Sequence, residues 1–580
     1  MSPLRRTVLL LGTAILIASG ISGPALAEPS TALADDARVG RFSGVVATGE
    51  RGIVSVVDAQ GRADADGKIA NGAGIAYPLA SVTKVLTATA VMRLVEQGRV
   101  DLKAAVASYL PEYAGRPFAR VTIAQLLSHT GGVPSILKDD QGLGDGPLDF
   151  DVLALPISTS ALIDQFSAAP LLFEPGTRYG YSNSGYILLG RILEVVTAKP
   201  YYAALDALVL APAGVSREFC LCRNLPGHPN ATAFERHGDS FVAAPVLDPS
   251  QTFSAAGVRA TPNGLLKWSE ALMSGRIVKP ATLALMWAPV VPTRNPGESF
   301  ALGWLVRDID GVQQVAHDGT IPGVVSNLVL VPAEHKAVFG DLNRTLDLGH
   351  IDESESYLRT VVSSIVAGRT PATVPSLAPP LAGRALEGAY RLPEDRSFAL
   401  NVDTKGQLWL ETDGGWSVLQ LPKLVHATGP LANDADQAVA GWAAHGQAGI
   451  ASHFSPDMLA NVPAGALDET WAQFLEQFGA YRHHHVYSTT DDFAEVRIDF
   501  ERGSMDIGIV YDPQGRINGL QPVGQETEMP PTRVRAWATA EGGLWIDGFA
   551  HAGPDVTATV DGDGGITFES GQHAVRGPSQ

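Results

Sequence analysis

The sequence predicts an α/β catalytic domain, in which helices flank an antiparallel sheet, followed by a β-rich region that contains an α+β module. Three observations support this. Strand-like runs stand at both ends of residues 38–365 with helical patterns between them, a proline cluster follows at 371–380, and strand-like alternation dominates the remainder. Strands at both ends of one domain favour a single sheet that distant segments close.

Local patterns predict the elements of the catalytic region. The β-prone runs 42–47 and 53–57 flank a turn at 49–52 and predict a hairpin. Apolar residues cover most faces of the segment from Ser81 to Gln97, which predicts a buried helix ended by Gly98. The remaining predicted helices are 121–127, 161–166 and 185–196, and the predicted strands are 301–306, 312–316, 324–331 and 337–342.

Composition and charge exclude several classes of protein. The 580 residues are 45% hydrophobic and 18% charged, enough chain for several domains. The formal net charge of −19 opposes binding to phosphate backbones, so we expect no nucleic-acid partner. Two cysteines exclude a disulfide scaffold and a four-cysteine zinc site.

The first 27 residues have the layout of a secretory signal peptide. Arg5 and Arg6 precede an apolar run at 8–17, and an A-x-A pattern ends at Ala27. The run is shorter than the roughly 18 residues that a membrane span needs. We therefore expect cleavage after Ala27, export to the periplasm or the medium, and no stable membrane span in the mature chain.

A serine and a lysine with catalytic spacing open the buried helix. In Ser81-Val82-Thr83-Lys84, positions i and i+3 share one helix face, so the two polar groups can meet. A serine hydroxyl needs an adjacent base, and burial lowers the pKa of a lysine toward that role.

Two further segments carry polar groups suited to the same chemistry. Tyr181 and Asn183 lie two residues apart in a loop that leads into a helix, so both side chains can point the same way. A phenolate close to a lysine ammonium can accept a proton. His317-Asp318-Gly319 ends a strand-like run, where a glycine permits close approach of a backbone.

Taken in order, these three motifs resemble those of the class C β-lactamase and penicillin-binding-protein-like serine hydrolases, and the similarity spans residues 38–365. Segments 122–132, 173–190 and 319–323 are also similar to that family. The resemblance implies that Ser81 is acylated and that Lys84 and Tyr181 share proton transfer, with the acylation base left open. It further implies that the substrate contacts Asn183, His317, Gly319 and Thr320. The N–H groups of Ser81 and Thr320 would form an oxyanion hole, and no metal or cofactor is implied.

One departure from the family bears on the substrate. β-Lactamases of the family carry Lys-Thr-Gly where this chain has His317-Asp318-Gly319, and a histidine is mostly neutral near pH 7. The histidine form resembles esterase and D-aminopeptidase members. The expected substrates are therefore amides or esters of small peptides, D-amino-acid peptides included, or carboxylic esters. The alternatives are a β-lactamase or D-alanyl-D-alanine carboxypeptidase, and an inert penicillin-binding-like protein that only binds a ligand.

The region beyond the proline cluster resembles accessory modules of such hydrolases. Residues 386–391 resemble the opening of a lipocalin-like domain, and residues 471–520 resemble an NTF2-like module. The last fifty residues either form a separate part or supply the missing strands of the first barrel. The predicted division is a signal peptide at 1–27, the hydrolase domain at 38–367, a linker at 368–383, a barrel part at 384–430, an α+β module at 431–524 and a C-terminal β part at 525–580.

Four other candidates receive structural interpretations. We interpret His129 as structural. Ser182 lacks the elbow of an α/β-hydrolase nucleophile because Ser184 replaces the second glycine of G-x-S-x-G. The run 483–485 of three histidines is interpreted as surface, since consecutive strand residues alternate faces. Cys220 and Cys222 are assigned no function, and the oligomeric state stays open.

Overall fold

The computed structural model describes most of the chain from Leu33 onward. The described residues are 33–136, 148–237, 240–293, 295, 297–309, 311–346, 351–371, 374–379, 382–392, 397–404, 406–412, 427, 429–490, 492–526, 533–547, 556–562, 564–568 and 573–576. The signal-peptide prediction therefore lies outside the described residues.

The catalytic region contains fourteen described strands and twelve described α-helices. The strands are β1 Gly44–Glu50, β2 Ile53–Gln60, β3 Tyr77–Pro78, β4 Phe219–Cys220, β5 Phe234–His237, β6 Ser240–Ala243, β7 Arg259–Ala260, β8 Val291–Pro292, β9 Glu298–Phe300, β10 Leu305–Ile309, β11 Val312–Ile321, β12 Val324–Val331, β13 Lys336–Leu342 and β14 Arg344–Leu346. The helices are α1 Ala34–Val39, α2 Thr83–Glu96, α3 Ile123–Leu127, α4 Phe150–Leu153, α5 Thr159–Asp164, α6 Asn183–Thr197, α7 Tyr201–Leu205, α8 Ala211–Ala213, α9 Pro249–Ala256, α10 Pro262–Met273, α11 Pro280–Met286 and α12 Ile351–Val366.

An antiparallel sheet organises this region. Its order is β2-β1-β13-β12-β11-β10-β9-β8, so the N-terminal hairpin pairs with a strand from the far end of the domain. The expected fold class is confirmed. Every residue of β12 is buried, because α12 covers one face of the sheet and the helices around α2 and α6 cover the other.

One predicted strand is partly wrong. Residues 301–306 were expected to form a strand, but β9 ends at Phe300 and β10 begins at Leu305. Gly303 lies between them with a φ of +94°, a conformation that breaks an extended run. Trp304 is nevertheless fully buried.

The C-terminal region is a barrel interrupted by a second sheet. Strands β15 Gly388–Arg391, β16 Ser397–Val402, β17 Leu408–Thr412, β22 Arg533–Ala538, β23 Leu544–Ile546, β24 Val556–Val560, β25 Ile566–Phe568 and β26 His573–Arg576 form a closed barrel in that order. Between β17 and β22 lie helices α13 Pro430–His445, α14 Gln447–Ile450, α15 Pro456–Asn461 and α16 Ala466–Phe478, then strands β18 Tyr481–Thr489, β19 Phe493–Phe500, β20 Gly503–Tyr511 and β21 Ile517–Glu526. The last fifty residues thus supply barrel strands.

A buried ionic cluster joins the barrel to the catalytic domain. Asp547 is fully buried and accepts a hydrogen bond from Arg41 Nη2 at 2.9 Å, while Arg535 Nη2 lies 3.4 Å from its other oxygen. The Arg41 guanidinium also lies 4.9 Å from the centre of the Trp545 ring. Among the described residues, no helix has the length and apolar character needed to cross a membrane.

Candidate active site

Ser81 occupies a tight turn that feeds directly into the central helix. The 3₁₀ turn Ala80–Val82 precedes α2, and Ala80 has a φ of +44°. That left-handed conformation costs a residue with a Cβ about 1–3 kcal/mol, and such strain clusters at functional sites. One turn later on the same face, Lys84 Nζ donates a hydrogen bond to Ser81 Oγ at 2.9 Å.

Lys84 is fully buried and held by oxygen acceptors. Besides Ser81 Oγ, its Nζ donates to Asn183 Oδ1 at 2.8 Å and to the Ala255 carbonyl at 3.0 Å. Three acceptors match the three N–H bonds of an ammonium group. The resemblance assigned Asn183 to the substrate, whereas the structure also gives it the task of orienting Lys84.

Tyr181 contacts the same serine. Its hydroxyl donates to Ser81 Oγ at 2.8 Å, and its ring centre lies 4.7 Å from Lys84 Nζ. Ser182 caps α6 by accepting a hydrogen bond from the Gly185 N–H at 3.1 Å. The helix start thereby holds the Tyr181 backbone beside the nucleophile.

His129 holds the Tyr181 loop through two hydrogen bonds. Its Nδ1 accepts the Ser182 N–H at 3.1 Å and its carbonyl accepts the Gly180 N–H at 2.9 Å. The imidazole lies 4.4 Å from the Tyr181 ring, centre to centre. Burial and the positive charge of Lys84 lower the pKa of this imidazole well below its usual range, so it stays neutral.

The third motif packs directly against the serine turn. Strand β10 pairs with β11 only as far as Ala316, which leaves the following residues of β11 facing Ala80–Val82. Gly319 crosses this turn so closely that a Cβ on it would stand 2.5 Å from the Leu79 carbonyl and 2.9 Å from the Ser81 nitrogen. Ser326 Oγ on β12 donates to the same carbonyl at 2.8 Å.

Strand alternation separates the side chains of this motif. His317 lies on the Ser81 face of the sheet, where burial, reinforced by the charge of Lys84, lowers its pKa to about 3. Asp318 points to the opposite face and pairs with Arg359 on α12 at 2.5 Å, and the side chain of Thr320 turns to Glu355 on the same helix at 2.9 Å. Only the backbone of Thr320 is therefore available to the site.

The structure thus brings four of the predicted residues, namely Ser81, Lys84, Tyr181 and Asn183, into one hydrogen-bonded cluster, with Gly319 in contact with the serine turn. Sequence reasoning missed the Ala255 carbonyl, because a backbone acceptor leaves no mark in the sequence. It also missed the contact of His129 with the Tyr181 loop, a contact that agrees with the structural interpretation of His129.

Comparison with known proteins identifies the family. The family model described as "Beta-lactamase" matches residues 31–351, more than half of the chain. The chain belongs to the beta-lactamase family. It is a serine hydrolase with the β-lactamase fold, as the three motifs implied.

Among the relatives in this family, Penicillin-binding protein 4 of Amycolatopsis lactamdurans is 31% identical over 46% of this chain and 74% of its own length. Esterase EstB of Burkholderia gladioli is 35% identical over 34% of this chain and 52% of its own length. The solved octameric penicillin-binding protein homologue from Pyrococcus abyssi shares the fold with a TM-score of 0.52 at 19% identity, covering 81% of this chain and 92% of that one. A second family model, described as "Protein of unknown function (DUF3887)", matches residues 443–520.

The structure adds detail to two other candidates. Cys220 and Cys222, to which no function was assigned, form a disulfide. His484 contacts Tyr481 on a different face from its two neighbours, as strand alternation predicted. The surface interpretation is wrong for His485, which is buried, and His483 and His485 lie on one face of β18 together with Asp499.

Proposed function

We propose that this β-lactamase-family hydrolase forms an acyl-enzyme on Ser81 and hydrolyses neutral carboxylic esters or amides, small D-amino-acid peptides among them. One observation carries the proposal: the Ser81 hydroxyl lies within 2.9 Å of both Lys84 Nζ and the Tyr181 oxygen, while the third motif offers no cation to a substrate carboxylate.

The geometry suits a two-step displacement. The first step needs one of the two neighbours of Ser81 in its deprotonated form, either Tyr181 as the phenolate or Lys84 as the neutral amine. Ser81 Oγ attacks the substrate carbonyl carbon and passes its proton to that base, since both groups lie within hydrogen-bonding distance. That proton then goes to the leaving group as its bond to the acyl carbon breaks. A water molecule attacks the acyl-enzyme, the same groups take its proton, and the acid is released with Ser81 restored.

Electrostatics favour neutral substrates. The third-motif position that carries a lysine in β-lactamases holds His317, whose pKa of about 3 keeps it uncharged at neutral pH. Asp318 is directed to α12 and paired with Arg359, so it neither repels nor orients a substrate at Ser81. The similarity to an esterase over 213 residues supports the ester class.

A penicillin-binding or β-lactamase activity is the second candidate. It is favoured by the similarity to Penicillin-binding protein 4 of Amycolatopsis lactamdurans, which extends over 74% of that protein. In this candidate, groups other than the neutral His317 imidazole would have to hold the carboxylate.

Labelling followed by a substrate panel tests both candidates. The full chain is treated with a fluorophosphonate and the adduct is mapped by peptide mass spectrometry. We expect one adduct on Ser81, absent in Ser81→Ala and unchanged in Ser160→Ala, a matched exposed serine. An adduct on Ser182 would contradict the assignment of Ser81 as the nucleophile. No adduct on folded protein would contradict the acyl-enzyme proposal and leave the inert ligand-binding alternative.

The panel then separates the substrate classes. It contains p-nitrophenyl esters, D- and L-amino-acid p-nitroanilides, and a chromogenic cephalosporin. Turnover of the esters or of the D-anilides, with Ser81→Ala inactive, supports the proposal. Faster acylation by the cephalosporin than by any ester or anilide would favour the second candidate.

We also propose that the chain is exported, on the evidence of the charged, apolar and A-x-A segments in residues 1–27. Expression of the full-length sequence in a bacterial host, followed by N-terminal mass analysis of the mature protein, tests this. A mature chain that starts at Glu28 supports export, whereas a retained leader in the cytoplasmic fraction would contradict it.

A further inference from the structure

We propose that His483, His485 and Asp499, on the four-stranded sheet β18–β21, bind a transition-metal dication of the zinc class. These residues lie in the module matched by the DUF3887 family model and play no part in the proposed hydrolysis. One ligand atom from each residue lies within 4.8 Å of the others.

Strand geometry explains why these three side chains meet. Residues two apart on a strand share a face, so His483 and His485 point the same way, with their rings 6.2 Å apart and inclined by 18°. Asp499 on β19 is the register partner of His483, and its Oδ2 lies 3.3 Å from His483 Nε2. His484 points to the other face, where it contacts the Tyr481 hydroxyl at 2.7 Å.

The neighbouring arginine orients the carboxylate. Arg497 Nε donates to Asp499 Oδ1 at 3.1 Å, which leaves Oδ2 directed at His483. Arg497 also pairs with Asp506 at 3.5 Å, so two carboxylates stand beside one guanidinium and reduce its repulsion of a cation.

The donor set selects the class of ion. Two imidazoles and one carboxylate suit Zn²⁺, Ni²⁺, Cu²⁺ and Co²⁺, whereas Mg²⁺ and Ca²⁺ prefer oxygen ligands alone. Ligand atoms around tetrahedral zinc lie roughly 3.3 Å apart when the bonds are about 2.0 Å long, so the rings must close in slightly. His485 is buried and His483 is 64% exposed, which gives one anchored ligand and one that can rotate onto the ion. Three protein ligands leave a fourth position for water or another ligand.

Zinc binding to the untagged full chain tests this site. We expect isothermal titration calorimetry at neutral pH to show one Zn²⁺ per chain, with no competition from excess Mg²⁺. We also expect Co²⁺ to give the visible absorption of a tetrahedral site. His483→Ala and Asp499→Asn should each weaken binding at least about tenfold. His445→Ala removes an exposed histidine of the same module and should leave binding unchanged.

Thermal unfolding separates a lost ligand from a lost fold. The His483 and Asp499 variants should unfold at the wild-type temperature without zinc but lose the zinc-induced stabilisation. The proposal is overturned if the wild type binds no more zinc than the His483→Ala/Asp499→Asn double variant, or if His445→Ala weakens binding equally. Fluorophosphonate labelling of Ser81 should be the same in all these variants. The metal-site proposal and the acyl-enzyme proposal can therefore fail independently of each other.

Discussion

The contact of Gly319 with the serine turn makes the replacement Gly319→Ala a sharp test of the site. A Cβ there would stand 2.5 Å from the Leu79 carbonyl, 2.5 Å from Ser326 Oγ and 2.9 Å from the Ser81 nitrogen. Real Cβ atoms essentially never come closer than 3.0 Å, so β11 and the turn must separate by at least 0.5 Å at the carbonyl. Two of the three atoms belong to the backbone and cannot rotate away.

The separation should affect catalysis more than stability. Overpacking by one methyl group in a close-packed region typically costs about 1–3 kcal/mol in the free energy of unfolding. A displacement approaching 1 Å between a nucleophile and the groups that position the substrate can cost about 10²-fold in rate. We therefore expect a folded variant whose acylation is slowed about a hundredfold.

The assay is the rate of fluorophosphonate labelling of Ser81, measured beside thermal unfolding. Gly115→Ala is the matched control, because Gly115 is exposed and a Cβ there meets nothing within 4 Å. A Gly319→Ala variant that labels at the wild-type rate would show that the contact does not position the nucleophile. Loss of labelling through global unfolding would be recognised by a missing thermal transition.

Three further predictions follow from the hydrogen bonds and pKa values of the site. Tyr181→Phe removes one of the two groups that can take the Ser81 proton. It should lower the hydrolysis rate at least about 10²-fold without a large change in melting temperature. Turnover at the wild-type rate would exclude the phenol from proton transfer. His129→Leu leaves the Ser182 N–H without its acceptor and should slow labelling of Ser81. His129→Asn keeps an acceptor and tolerates the backbone φ of +55° at this position, so it should recover much of the labelling rate. Equal rates in both variants would refute the positioning role of His129. The pKa of His317 is about 3 in the folded protein and 6.5 in the unfolded chain, so the unfolded chain binds the proton first as the pH falls. The melting temperature of the wild type should therefore drop between about pH 6.5 and pH 3, and it should drop less steeply in His317→Gln. Parallel pH profiles for the two proteins would contradict this prediction.

Local patterns in the sequence were sufficient to predict the family, the fold class and the secondary-structure elements that carry the motifs. The spacing of Ser81 and Lys84 implies a shared face on any helix, and period-two alternation predicted most of the strands. The same alternation explains why Asp318 and His317 must point to opposite sides of β11. These properties depend on neighbours within a few residues, so they can be read without knowing the fold.

Contacts between distant segments were decided only by the tertiary structure. The Ala255 carbonyl that holds Lys84 lies 171 residues away from it, and the arginine that turns Asp318 from the site lies on a helix 41 residues later. The barrel closes only because β26 returns to β15 across the inserted module. The histidine run 483–485 shows the difference between what a strand's sequence predicts and what strand pairing decides. Alternation along one strand excluded three converging imidazoles. The register that brings Asp499 beside two of them depends on how β18 pairs with β19. Pairing depends on which chain segments pack together, and a single strand's sequence does not contain that information.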